Sequence, residues 1–352
     1  MPLHQLLNRS CNSPDVVFRT IRDFLAAANG IEDFTLGGQC PGPGYNIVDA
    51  SYASGDPGNT TANDWCVLKS TGEAHSYPVY IRLNFGATQH GINPYLHWDS
   101  DTHAGFGGIA RTTNIYHNGA GDVLLNIYAD LDEIHIVIKP RSVNNYYWHP
   151  CGRIKPDMLL YDGVALQCSS PITAGNGTVI PLPSWPAWAA VGRKIYNWDT
   201  TSLHELEITA IDTTGMTVTV AESFAKAAGS WLAEDVALYT ATSHNADAAG
   251  SGSTGALHIL PTRAGAVTSA QTVMVMPNIV GQDDKYSNRY ACDIWLSRTA
   301  SGVNEVRGRL ANARLSRAAA SAQGEAWTDE DGLPWRLHTV YNGVTIAFRE
   351  AT

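Results

Sequence analysis

Apolar residues recur at helical spacing near the start of the chain: Val17, Ile21, Phe24, Leu25 and Ala28 share one face. Ser13-Pro14-Asp15 supplies a capping hydroxyl, a proline suited to the first turn and an acid at the positive end of the helix dipole. Asn29-Gly30 is a matching stop. The pattern predicts an amphipathic helix over 14–28, with its apolar stripe laid on a sheet. Residues 37–63 are rich in Gly, Pro, Ser, Asn and Asp, which reads as a long surface loop.

The period then shifts from helical to strand-like. Trp65–Lys69 and 79–85 read as strands, the second alternating apolar and polar positions. Residues 95–98 form a third, and 123–128 and 134–138 two more, joined by the acidic turn Asp130-Leu131-Asp132. One helix followed by a meander of strands predicts an α+β, mostly β fold: an antiparallel sheet with one N-terminal helix packed on it.

After Pro171 the texture changes. Short strands at 174–181, 190–198, 207–211, 216–220 and 233–239 come at close spacing, with a tight hairpin turn at Asp212-Thr213-Thr214-Gly215. This predicts an inserted small β-barrel or sandwich module over 171–240. A Gly/Ser/Ala linker follows at 241–255. Residues 256–352 are again β-rich, with strands at 256–260, 273–276, 293–296 and 306–310. A final hairpin, 335–340 with 344–349, turns around Tyr341-Asn342-Gly343. This C-terminal part is expected to complete the domain begun by residues 1–170.

Composition narrows the function classes. Lys and Arg total 23 against 33 Asp and Glu, a net charge of −10. That balance argues against a nucleic-acid partner, which calls for a basic face. The start of the chain shows no basic stretch followed by an apolar core, so no secretory signal is read there. No apolar run approaches the roughly 20 residues of a membrane span. The chain reads as soluble and made in a cytoplasm. The six cysteines (Cys11, Cys40, Cys66, Cys151, Cys168 and Cys292) include no C-x-x-C pair. No P-loop, nucleophile elbow or H-E-x-x-H is present, and no cofactor is expected.

Three groups of residues carry candidate chemistry. His97, Asp99, Asp101 and His103 stand at every second position, so an extended chain would turn all four to one side, where they could hold a divalent ion. The same alternation suits a solvent-facing strand end. Tyr146, Tyr147 and Trp148 could stack on sugar rings or fill a sheet core. The acids Asp122, Asp130, Asp132 and Glu133, with Asp283/Asp284 and Asp329/Glu330/Asp331, could pair as glycoside-hydrolase carboxylates. Their turn-like settings point instead to solvated side chains. His135 and His258 alternate within strand patterns and read as structural.

The order of these segments resembles a group of tailed-bacteriophage virion proteins from tail or baseplate regions. The resemblance rests on Trp65-Cys66-Val67-Leu68-Lys69-Ser70-Thr71-Gly72-Glu73 leading to Val79-Tyr80-Ile81-Arg82-Leu83. It rests also on Glu133-Ile134-His135-Ile136-Val137-Ile138-Lys139 leading to Tyr146-Tyr147 and Cys151-Gly152-Arg153-Ile154. Val306-Arg307-Gly308-Arg309-Leu310 and the end from Gly332 to Arg349 are similar to that group's closing segments, and the inserted module to small β-barrels of phage tail proteins. His149-Pro150-Cys151 departs from the group's aromatic turn. The resemblance implies a non-enzymatic structural subunit of the virion, in the tail, baseplate or neck, built of several copies and contacting other virion proteins. On this reading Trp185, Trp188, Trp198 and Trp231 are candidate interface residues. The alternatives are a module binding a host surface glycan through Tyr146, Tyr147 and Trp148, and a carboxylate-dependent glycan hydrolase.

Overall fold

The computed structural model describes residues 3–26, 31–33, 38–40, 42–70, 78–95, 97–106, 113–117, 122–141, 146–153, 165–167, 170–175, 177–182, 185, 189–192, 194–198, 203–227, 231–234, 238–241, 257–260, 272–275, 291–300, 303–316, 324–329, 331–340 and 345–352. Among the described residues the fold is mostly β, with antiparallel sheets and one α-helix, as the alternation pattern predicts. No helix among the described residues is long and apolar enough to cross a membrane.

The helix spans Pro14–Ala26. The Ser13 hydroxyl accepts a hydrogen bond from the Val16 N–H, the N-cap contact its sequence predicts. Asp15 accepts from Arg19 one turn on and from the Thr60 N–H, which ties the helix start to a neighbouring loop. Val17, Phe18, Ile21, Phe24 and Leu25 are buried.

A central six-stranded sheet runs His4–Cys11, Val123–Ala129, Glu133–Pro140, Tyr147–Arg153, Leu238–Ala241, Leu257–Leu260. The strands Val123–Ala129, Glu133–Pro140 and Tyr147–Arg153 are buried on both faces, and strand alternation assigns the two sets. Leu125 and Ile127, Ile134, Ile136 and Ile138, with Tyr147 and Cys151, join the helix and a second sheet in one apolar core. Tyr128, His135 and Trp148 point the other way, against Phe348 of a C-terminal sheet. The central sheet is therefore a middle layer.

The second sheet orders Thr113–Tyr116, Gln89–Tyr95, Tyr80–Asn84, Trp65–Lys69 and Asn46–Ser51. The C-terminal sheet orders Thr272–Val275, Ala291–Ala300, Val303–Ser316, Thr345–Arg349, Pro334–Thr339 and Ala326–Thr328. The closing hairpin pairs Thr339 with Thr345; its Asn-Gly tip lies outside the described residues.

Several expectations are corrected. Strands Gly38–Cys40 and Asn46–Ser51 lie inside the region read as one long loop. The second is an edge strand with almost no burial, so it carries no alternation to read. The polar start His4–Cys11 is a strand too, bulged between Leu6 and Arg9, where Asn8 takes a positive φ and donates its N–H to the Asn126 side chain. Tyr147–Arg153 is a wholly buried strand, so Tyr147 and Trp148 fill a sheet core, one of the two readings their sequence allows. Pro150 pairs with His135 on one side, and among the described residues the next strand pairs with Cys151, Gly152 and Arg153 but not with Pro150, an opening that suits a residue with no N–H. Gly152 adopts φ 149°, and a Cβ there would run into the Asp132 carbonyl oxygen.

The inserted module is a six-stranded antiparallel sheet: Ala165–Gln167, Trp231–Glu234, Lys194–Trp198, Leu203–Asp212, Thr217–Val220, Thr178–Pro181. It encloses an aliphatic core that includes Ile172, Ile180, Ile195, Leu206, Ile208, Val218 and Val220. The long strand bulges between Ile208 and Ala210, and Asp212 caps the expected hairpin by accepting from the Thr214 and Gly215 N–H groups. Its sheet starts earlier than expected, at Ala165, and Leu238–Ala241 belongs to the central sheet. The small-residue linker after Ala241 lies outside the described residues.

Candidate functional site

The hairpin between Val123–Ala129 and Glu133–Pro140 carries the densest group of buried ionisable side chains described. Asp130, Asp132 and Glu133 are all buried, against the solvated setting their turn sequence suggests. Asp130 organises the turn: one carboxylate oxygen accepts from the Asp132 and Glu133 N–H groups, and the other accepts from the Asn312 amide. Burial pushes its carboxyl above the usual range, and the Glu133 charge adds to this. Its carbonyl accepts from the Tyr45 hydroxyl, which burial pushes well up.

Glu133 reaches across the layers. Its Oε1 accepts from the Ala311 N–H at 2.7 Å and its Oε2 from the Asn312 N–H at 3.0 Å, both on the C-terminal sheet. His135 Nε2 lies 3.2 Å from the same Oε2, and its Nδ1 accepts from the Trp148 indole N–H at 3.3 Å. Because Nδ1 is an acceptor, the proton facing Glu133 sits on Nε2, and the tautomer is fixed. Arg153 donates to Asp132 at 2.6 Å. On the same face Tyr128 and His338 share a 2.8 Å hydrogen bond, and Tyr128 stacks on Phe348. Burial holds the His338 imidazole down to about 3.

The group is a polar knot: the Glu133 and Asp130 oxygens accept from donors of the protein itself. Asp329, another candidate acid, is equally committed. It accepts from the Leu333 N–H, the Trp335 indole and Arg314, and these bonds outweigh its burial and hold its carboxyl low. Asp283, Asp284 and Glu330 lie outside the described residues.

The aromatic candidates divide. Tyr147 and Trp148 are buried core residues and offer no face to a sugar. Tyr146 is half-buried, with the Lys139 ammonium over its ring. The metal quartet does not assemble. His97–Asp99 is a strand, but the chain turns at 100–103 and returns as Ala104–Phe106, which breaks the alternation. Asp99 caps that turn through the Asp101 and Thr102 N–H groups, and His103 pairs with Asp49. Burial lowers His97 to about 4. No group of three or more His, Cys, Asp or Glu among the described residues is placed to hold a metal.

Of the interface candidates, Trp185 packs against the module core. Trp198 and Trp231 lie on module strands, and Trp188 lies outside the described residues. Sequence reasoning missed the apolar surface residues. The large hydrophobics exposed among the described residues are Ile47 and Val48 on the edge strand and Val179, Val191, Ile211 and Met216 on the module. Their signal is present at Val179 and Val191, valines beside turn residues, but alternation alone does not separate inward from outward positions.

No protein-family model matches the chain, and no curated protein matches it.

Proposed function

We propose that the chain is a structural subunit of a tailed-bacteriophage virion, working in multiple copies in the tail, baseplate or neck. The observation that carries this reading is where apolar side chains meet solvent. They fall on a sheet edge and on an inserted module that has its own core, as expected of surfaces buried on assembly. The resemblance of Trp65–Lys69 and its successor strand to tail and baseplate proteins supplies the particle. Of the candidate hydrolase acids, Asp130 and Glu133 are taken up in joining layers, and two of the three candidate sugar-stacking rings are buried in the core, which supports assembly over turnover or glycan capture.

The test uses Val179→Asp and Ile211→Asp in the full chain during particle production. The expected result is a folded chain that no longer enters particles. Normal incorporation of both variants overturns the reading.

A further inference from the structure

We infer that the second sheet's edge strand, Asn46–Ser51, is a self-pairing edge that joins two copies of this chain into a continuous antiparallel sheet. The inference rests on the assembly reading and names one partner for it. The strand ends its sheet: Trp65–Lys69 lies on one side, and no described strand lies on the other. Its outward backbone groups are a template for another strand. Natural edges are blunted by lysine, proline, a bulge or inward-pointing charge; this strand has no lysine and no proline, and its inward acid, Asp49, already accepts a hydrogen bond within the chain, from the Trp98 indole. Its bulge at Val48 exposes that side chain, at 37%, beside Ile47 at 45%.

The occupant follows from charge and pattern. The chain carries a net charge of −10, so copies repel one another over most of their surface. The edge escapes this repulsion because its one acid, Asp49, is turned inward. Its Oδ2 takes the Trp98 indole N–H at 2.7 Å and lies 2.9 Å from His103 Nδ1, and its side chain is 8% exposed. Laid antiparallel about a two-fold axis between Val48 and Asp49, the strand matches itself. Asn46 meets Ser51 of the second copy, polar to polar, and Ile47 meets Ala50, apolar to apolar. An isologous contact of this kind closes as a dimer, a unit from which larger rings can be built.

The test is covalent trapping in the full chain. Residues 47 and 50 are three apart along one strand, too far to bridge within a chain. The double variant Ile47→Cys/Ala50→Cys should form a disulfide-linked dimer on mild oxidation, while Ile47→Cys alone should not. Ile47→Lys, at an exposed position that tolerates charge, should weaken dimerisation about tenfold by light scattering. A monomer at micromolar concentration overturns the inference, as does a dimer that Ile47→Lys leaves intact. So does trapping in particles of residue 47 to a polypeptide of different mass. A trapped dimer from a chain absent from particles upholds the self-pairing edge and removes the virion reading. A chain present in particles without trapping does the reverse.

Discussion

The central sheet and the inserted module solve burial in opposite ways. The module's core is aliphatic, closed by neighbouring strands, with Thr178 among its few buried polar residues. The central sheet buries Asp130, Asp132, Glu133 and His135 in its hairpin with Arg153 of the next strand, and Asp130 and Glu133 bond to Asn312, 179 residues after Glu133. The difference teaches which contacts hold distant segments together. Apolar packing is non-directional and serves a local module, whereas a buried carboxylate accepts only donors at fixed places and so specifies how two layers dock.

The largest expected break in this contrast is Glu133→Ala. It leaves the Ala311 and Asn312 N–H groups and the His135 Nε2–H unpaired in a dry layer. A loss of about 3–5 kcal/mol is expected by chemical denaturation. Glu133→Gln keeps one acceptor and should cost less. Next comes Ile208→Ala in the module. A loss of about 2–4 kcal/mol should appear as a module transition that leaves the central sheet folded.

Acid should separate the regions further. Burial, with His117 beside it, holds His90 at about 3, and His338 lies at about 3 as well. Unfolded histidine takes its proton near 6.5, so between those values the unfolded chain binds more protons and stability falls with falling pH. The slope is about 1.4 kcal/mol per pH unit for each histidine. Both are in the main body, and the described module core contains no buried histidine, so amides of the module should keep their exchange protection to lower pH. The smallest stability effect is expected for Val179→Asp, within about 0.5 kcal/mol, since the side chain is exposed. A large stability loss there would show that this face is core rather than contact surface.

The legible parts of the fold were those written in local sequence. The helix is readable because Ser13 caps it and its apolar spacing is regular. The hairpin strands are readable because Ile134, Ile136 and Ile138 alternate. Asn46–Ser51 was hidden because an exposed edge imposes no alternation, and Tyr147–Arg153 because both its faces are buried and it contains a proline. The knot at Glu133 was illegible for a different reason. Its donors are backbone N–H groups of a strand far along the chain, and a backbone donor leaves no residue signature. The metal quartet failed on a turn at 100–103 that alternation cannot anticipate.

The most direct measurement is the protein composition of purified phage particles by quantitative mass spectrometry. The account predicts this chain in mature particles at several copies each, released only when the tail or neck is dismantled. Its absence from intact particles would contradict the account.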